Sequence, residues 1–267
     1  MIIFITGASS GFGRAIAAHL VRRGHTVYGT SRAPKSGITD GVQMLRMDVR
    51  SPESVDAAVD SVIRREGHID VLINNAGMGI AGAAELASPD DIRLQMETNF
   101  IGCTNVCRAV LRYMRPRRKG LIINISSIAG IFSIPYQGLY SASKFAIEGY
   151  SQALAIETSR FGINVVIVAP GDFNTGFTSA RRLCPETAAS PDYSASFARV
   201  RANFERDELR GGSPDMLARR ICRIIESRRP RRRYVVPTSA AQWLAVRLSG
   251  LLPRRTFGWI LKTFYSM

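Results

Sequence analysis

Histidine and cysteine are scarce in this 267-residue chain, which has three of the first and four of the second. His19, His25 and His68 have no spacing with one another or with cysteine that would build a zinc site, so metal catalysis has no support. Cys103, Cys107, Cys184 and Cys222 are too few and too scattered for a disulfide framework, and inert buried thiols are expected. Long apolar runs are missing as well. The most hydrophobic stretch is interrupted by Arg247, Pro253, Arg254 and Arg255, short of the roughly 20 residues that a bilayer-spanning helix needs. Met1–Ile5 is apolar, but no basic region precedes it and a glycine turn follows, so no secretory signal is visible and a cytoplasmic protein is expected. Acidic residues almost vanish towards the end: from Arg210 onward 13 Lys/Arg face 2 Asp/Glu, which is +11 of the total +15. The remainder is close to neutral, which argues against a surface that tracks nucleic acid. The basic end reads either as a face for an acidic partner or as a solvated arginine-rich face.

What is present is an alternation of strand and helix patterns. Strands are expected at 2–6, 26–30, 43–47, 69–74, 121–126 and 163–169, with helices at 12–23, 52–66, 89–114 and 139–160 between them. Ser51-Pro52-Glu53 is a helix start, with a serine cap before a first-turn proline. Strands such as Leu121-Ile122-Ile123-Asn124-Ile125 are apolar throughout, as when helices cover both faces of a parallel sheet. The expected fold is therefore α/β, a doubly wound parallel sheet of the Rossmann type, with ligands bound beyond the carboxyl ends of the strands. One catalytic domain over 1–237 is expected, with the sheet pattern lapsing at 176–212 and returning in a helix at 214–228 and a strand at 233–236. A basic, apolar helical tail follows over 238–267.

The first strand runs into Thr6-Gly7-Ala8-Ser9-Ser10-Gly11-Phe12-Gly13 and then directly into a helix. Glycines allow the tight turn and let backbone approach a pyrophosphate, which sits at the positive helix N-terminus. The second strand ends in Thr30-Ser31-Arg32, without the carboxylate that commonly holds the adenosine ribose. A guanidinium there can grip a 2′-phosphate, which favours NADP(H) over NAD(H). Asn74-Asn75-Ala76-Gly77 ends another strand with small residues that let a ligand pass close. Tyr140 and Lys144, four apart, share one face of a helix.

Taken together these motifs resemble the short-chain dehydrogenase/reductase family. The likeness lies in T-G-x-x-x-G-x-G at Thr6–Gly13, N-N-A-G at Asn74–Gly77, Ser127 13 residues before Y-x-x-x-K at Tyr140 and Lys144, and P-G-x-x-x-T at Pro170–Thr175. The resemblance implies that Tyr140 is the acid/base, that Ser127 orients the carbonyl, that Lys144 holds the nicotinamide ribose and that Asn99 anchors a proton-relay water. It implies a cofactor site built from Gly7, Ser9, Gly11, Phe12 and Gly13 at the first turn, with Arg32, Asp48 and Val49 at the adenosine end. Asn75, Ala76 and Gly77 would line its middle, and Tyr140, Lys144, Pro170, Gly171, Phe173 and Thr175 its nicotinamide end. A homo-oligomer is a further implication.

The expected activity is interconversion of an alcohol with a ketone or aldehyde, with a small carbonyl or alcohol compound as partner. A dinucleotide-sensing or scaffold protein on the same fold is the alternative, but it has no need of a proton-transfer set. Phe173, Phe177, Leu183, Tyr193, Phe197 and Phe204 fit an apolar or bulky substrate or, equally, core packing. The Thr30-Ser31-Arg32 ending, the basic stretch at 229–234 and the tail are similar to the hydroxysteroid and retinol dehydrogenase branch. In the tail, Trp243, Leu248, Phe257 and Trp259 alternate with Arg247, Arg254, Arg255 and Lys262. That pattern fits docking on the protein or on a second subunit, ahead of peripheral contact with a membrane.

Overall fold

A computed structural model of the chain describes residues 1–34, 38–265 and 267. The first half reads β1 (Ile2–Ile5), α1 (Gly11–Val21), β2 (Thr26–Ser31), β3 (Ile38–Thr39), β4 (Val42–Arg46), α2 (Pro52–Glu66), β5 (Val71–Asn74), β6 (Ile80–Ala81), α3 (Pro89–Met96) and α4 (Gly102–Arg117). It continues with β7 (Gly120–Ile125), α5 (Gly138–Ser159), β8 (Ile163–Pro170), α6 (Phe177–Ala180), β9 (Arg182–Leu183), α7 (Pro185–Ala189) and α8 (Ser194–Leu209). Last come α9 (Pro214–Glu226), β10 (Arg233–Val236), α10 (Ala240–Leu251) and α11 (Arg254–Phe264). The main sheet has the order β10-β8-β7-β5-β1-β2-β4-β3 and is parallel apart from the short edge strand β3. The chain moves outward from β1 in one direction and then returns to build the other half from β5. The loops after β1 and β5 consequently diverge at the switch point, where such sheets open a crevice.

Local chemistry accounts for the element ends. Ser51, Ser88 and Ser213 each accept a backbone N–H of the helix that follows, and each precedes a proline at the first helical position. Gly67 ends α2 in the left-handed region, at φ +75°. Alternation along the strands feeds two cores. Phe4 and Ile122 meet Val59 of α2, Val106 of α4 and Leu154 of α5 on one face. Ile3, Ile73 and Ile123 meet Ile16 of α1 and Ile221 of α9 on the other. All four cysteines are buried and free.

The segment expected to lapse from the sheet pattern, 176–212, folds into three helices and into β9, which pairs in parallel with β6. It encloses a third core together with the tail. Phe257 of α11 meets Phe132 edge-on at 5.3 Å, and Phe197, Val200 and Phe204 of α8 complete the cluster. Pro253 separates the two tail helices, and Ser239 caps α10 by accepting the Gln242 N–H. No helix among the described residues is long and apolar enough to cross a membrane. Because the Phe257 ring is buried against Phe132, Phe257→Ala is expected to lower the unfolding free energy by about 3 kcal/mol in chemical denaturation. An unchanged midpoint would mean that this ring does not hold the tail in place.

Candidate active site

The turn after β1 is shaped by what its glycines permit. Gly7 and Gly11 adopt φ of +68° and +52°, and a Cβ on Gly13 would lie 2.2 Å from the Gly7 carbonyl oxygen. Ser10, the cap of α1, makes no side-chain capping bond, so the first N–H groups of that helix face the crevice without an intrahelical partner. Asn75 holds the opposite wall. Its Nδ2 donates to the carbonyls of Thr6 (2.9 Å) and Gly7 (3.0 Å), while the Thr6 hydroxyl accepts the N–H groups of Asn75 and Ala76, each at 2.9 Å. A cradle of this kind fits the phosphates of a dinucleotide.

The cradle opens into a cavity of about 1020 Å³. Gly7, Ser9, Gly11 and Phe12 line it, with Asn75, Ala76 and Gly77 opposite. Gly13 does not reach the cavity; it lets α1 pass close behind the Gly7 carbonyl. At one end stand Arg32, Asp48 and Val49. Arg50, which the sequence reading overlooked, stands with them and clasps Asp48 through Nη2 at 2.7 Å, holding that carboxyl below its usual range. Arg32 is exposed and has no ion-pair partner among the described residues, so of the two guanidiniums it is the one left for an incoming anion. The D-x-R spacing of Asp48 and Arg50 was the signal that could have found this pair.

At the other end the β7–α5 connection brings Ser127, Tyr140 and Lys144 together. Lys144 is buried, and Nζ donates to the Ile125 carbonyl at 2.9 Å and lies 5.6 Å from the Tyr140 ring centre. Loss of water pushes its ammonium down to about 8. The same loss pushes the Tyr140 phenol up to about 12, opposed by the neighbouring Ser127 hydroxyl. Ser127 Oγ already accepts the Ala129 N–H at 3.1 Å, which leaves its own proton to donate towards the phenol oxygen. Pro170, Gly171, Phe173 and Thr175 line the same cavity; Thr175 lies against Gly11 and Phe173 meets Phe12 edge-on at 5.1 Å, which places both beside the cradle.

Asn99 departs from the continuous helix expected over 89–114. A five-residue π turn, Glu97–Ile101, separates α3 from α4 and carries Asn99 inward. Its Oδ1 accepts the Met78 N–H at 2.8 Å, and Nδ2 donates to the Met78 carbonyl (2.9 Å) and Ser143 Oγ (3.0 Å). The side chain braces α5 against the loop after β5 and does not line the cavity. Deeper in the sheet, Asn74 donates to Asn124 Oδ1 (2.9 Å) and Asn124 to Ser151 Oγ (2.8 Å), a buried link between β5, β7 and α5.

Beyond Tyr140 the cavity is apolar. Phe132, Phe177 and Phe204 form its walls, and Leu248, Ile260 and Leu261 of the tail helices form its roof. The large apolar residues expected to meet substrate divide between roles: Phe173, Phe177 and Phe204 line the cavity, whereas Phe197 and Tyr193 pack on Tyr136 and Leu183 lies against the third core. Asp172, Asp207 and Glu208 also border this half, and Asp172 Oδ2 accepts Gln242 Nε2 of α10 at 2.6 Å. Burial and the neighbouring Glu208 push the Asp172 carboxyl up to about 6.

Chemically, this geometry offers a neutral phenol beside a hydroxyl donor and a buried cation, between a phosphate cradle and an apolar pocket. Comparison with known proteins agrees with it. The family profile described as short chain dehydrogenase matches residues 1–184. A 3-ketodihydrosphingosine reductase of Bacteroides thetaiotaomicron is 50% identical over 266 residues, covering 100% of this chain and 98% of that protein. Retinol dehydrogenase 8 of Bos taurus is 32% identical over 247 residues, 85% of this chain and 78% of that protein. The crystal structure of a short-chain dehydrogenase from Streptomyces avermitilis superposes with a TM-score of 0.82 at 34% identity, covering 94% of this chain and 92% of that one.

Proposed function

The chain belongs to the short-chain dehydrogenase/reductase family and is an oxidoreductase of the alcohol/ketone kind, and on that premise we propose that it reduces a long-chain ketone with NADPH. The ketone is of the sphingoid type, 3-ketodihydrosphingosine or a close analogue. The observation that carries this reading is the placing of Ser127, Tyr140 and Lys144 at the junction between a dinucleotide cradle and an apolar pocket roofed by the tail. The 50% identity along the full chain supports the sphingoid class.

The residues present fit the dinucleotide. The first turn of α1 and the Gly7–Gly13 loop would hold its pyrophosphate, Arg32 its 2′-phosphate, Asp48 and Val49 its adenine, and Lys144 its nicotinamide ribose. When bound, the cofactor supplies the hydride for the carbonyl carbon. The chain supplies the rest. Ser127 and Tyr140 hydrogen-bond the substrate oxygen, which fixes the carbonyl and stabilises the charge that builds on it. The Tyr140 phenol, raised to about 12, is neutral at physiological pH and can give its proton to the forming alkoxide. The Lys144 ammonium then offsets the phenolate left behind. A phenol held neutral suits reduction; oxidation needs its ionised form. Asn99 positions α5 through its bond to Ser143. Exposed Ile101, at the end of the π turn, and Phe145 and Ile156 of α5 are where a second copy would bury apolar surface in a homo-oligomer.

Tyr140→Phe removes one proton-bearing oxygen and almost no volume, so turnover is expected to vanish while NADPH affinity, read by fluorescence titration, stays within about twofold. Substantial residual reduction of 3-ketodihydrosphingosine would refute the role given to Tyr140. Arg32→Ala is expected to weaken NADPH by about tenfold or more and to leave NADH unchanged, because only the phosphorylated cofactor gives the guanidinium a charge partner. Equal weakening of the two would return Arg32 to the surface.

A further inference from the structure

We propose that Asp172 is the specificity-determining residue of this pocket, holding an ammonium group next to the reacting carbonyl and so selecting long-chain amino ketones over ketones that lack the amine. The proposal rests on the reading of the site as a long-chain ketone reductase and names the group that the reductase recognises.

Three carboxylates border the pocket near Tyr140: Asp172, Asp207 and Glu208. Two have their own cation. Glu208 is bound by the buried Arg181, and the Thr178 hydroxyl donates to it at 2.6 Å; Asp207 takes Arg206 Nε at 3.3 Å. Asp172 has no cation within ion-pair distance among the described residues, and Arg210, the remaining arginine on the cavity rim, is exposed. Among the described residues the only side-chain partner of Asp172 is an amide, and that amide is itself fixed, since Gln242 Oε1 accepts the Thr238 N–H at 2.9 Å and the Thr238 hydroxyl at 3.1 Å. One carboxylate oxygen is therefore tied to α10 while the other has no side-chain donor among the described residues. The backbone is anchored too, with the Asp172 carbonyl accepting the Gly212 N–H at 3.0 Å.

A half-buried carboxylate without a counterion is costly unless something charged completes it. The completing group has to come with the substrate, and its position follows from the chain order: Asp172 lies two residues after Pro170, at the end of β8, beside the Tyr140 end of the cavity. An ammonium on a carbon adjacent to the carbonyl would meet Asp172 while the carbonyl meets Ser127 and Tyr140 and the alkyl chain runs under the tail helices. The same ammonium would aid the reaction. Asp172 and Glu208 both oppose ionisation of Tyr140, so a substrate cation beside them lowers the cost of the phenolate left after proton donation.

The test compares kcat/KM for 3-ketodihydrosphingosine with that for the same long-chain hydroxy ketone lacking the amine, in wild type and in Asp172→Asn. Asparagine can still accept the Gln242 bond, and NADPH titration checks that the variant is folded. Wild type is expected to prefer the amino ketone, and Asp172→Asn to reduce that preference by about tenfold or more. An unchanged ratio in the variant, or a wild type that uses both ketones equally, would overturn the proposal and leave the reductase reading standing. A wild type inactive on the amino ketone would remove both. Inhibition of the wild type by a long-chain alkylamine against the alcohol of equal length reads the same subsite without a substitution: tighter inhibition by the amine supports it, and equal inhibition overturns it.

Discussion

The site depends on an ammonium held out of water. Lys144 has three N–H donors and gives one to the Ile125 carbonyl, at the end of β7. Burial of a cation is unfavourable without partners, and the fold tolerates it because that carbonyl, a neighbouring phenol and a ligand cavity surround it. The remaining features serve to keep this arrangement in place. The buried Asn74–Asn124–Ser151 link locks β5, β7 and α5 in register, and Asn99 ties α5 to the loop after β5. Displacing α5 would move Tyr140 and Lys144 together, away from Ser127 at the end of β7.

The parallel sheet explains why two unrelated chemistries meet here. Because every crossover brings the chain back to the same edge, the loops after β1, β5, β7 and β8 all open on one crevice. The cradle after β1 and the Ser127 turn after β7 are far apart in sequence and share one cavity. The apolar half is not built by the sheet at all. It comes from 176–212 and from α10 and α11, whose inner faces enter the third core while Trp243, Leu251 and Trp259 remain exposed on the outer face. The sheet-borne site and this separate, later part of the chain are thus joined at Asp172 and Gln242.

Much of this was legible in the sequence because it is local. Glycine spacing, the alternation of apolar runs and the four-residue interval between Tyr140 and Lys144 each determine geometry over a few residues, and the structure reproduces them. Two features were hidden for physical reasons. The π turn at Glu97–Ile101 leaves the apolar period of the flanking helices almost intact, so 89–114 reads as a single helix. The Asp172–Gln242 bond spans 70 positions, and no pattern in either segment announces it. Gly13 and Asn99 were legible as residues, but the contacts they make were not: Gly13 lets α1 pass close behind the Gly7 carbonyl, and Asn99 bonds Met78 and Ser143.

The central claim, that a buried Lys144 ammonium keeps the site fit for cofactor and for proton donation by Tyr140, is tested most directly by the pH dependence of kcat/KM for NADPH during ketone reduction. That parameter reports ionisations of the free enzyme. Burial lowers the lysine from its ordinary range to about 8, so the charged form is complete at pH 6–7 and is lost as pH rises through about 8. With Tyr140 raised to about 12, the phenol stays protonated across the same interval. The account predicts a level profile up to about pH 7 and a decline through about pH 8. A profile that stays level to pH 10, or one that rises through pH 8, would contradict it.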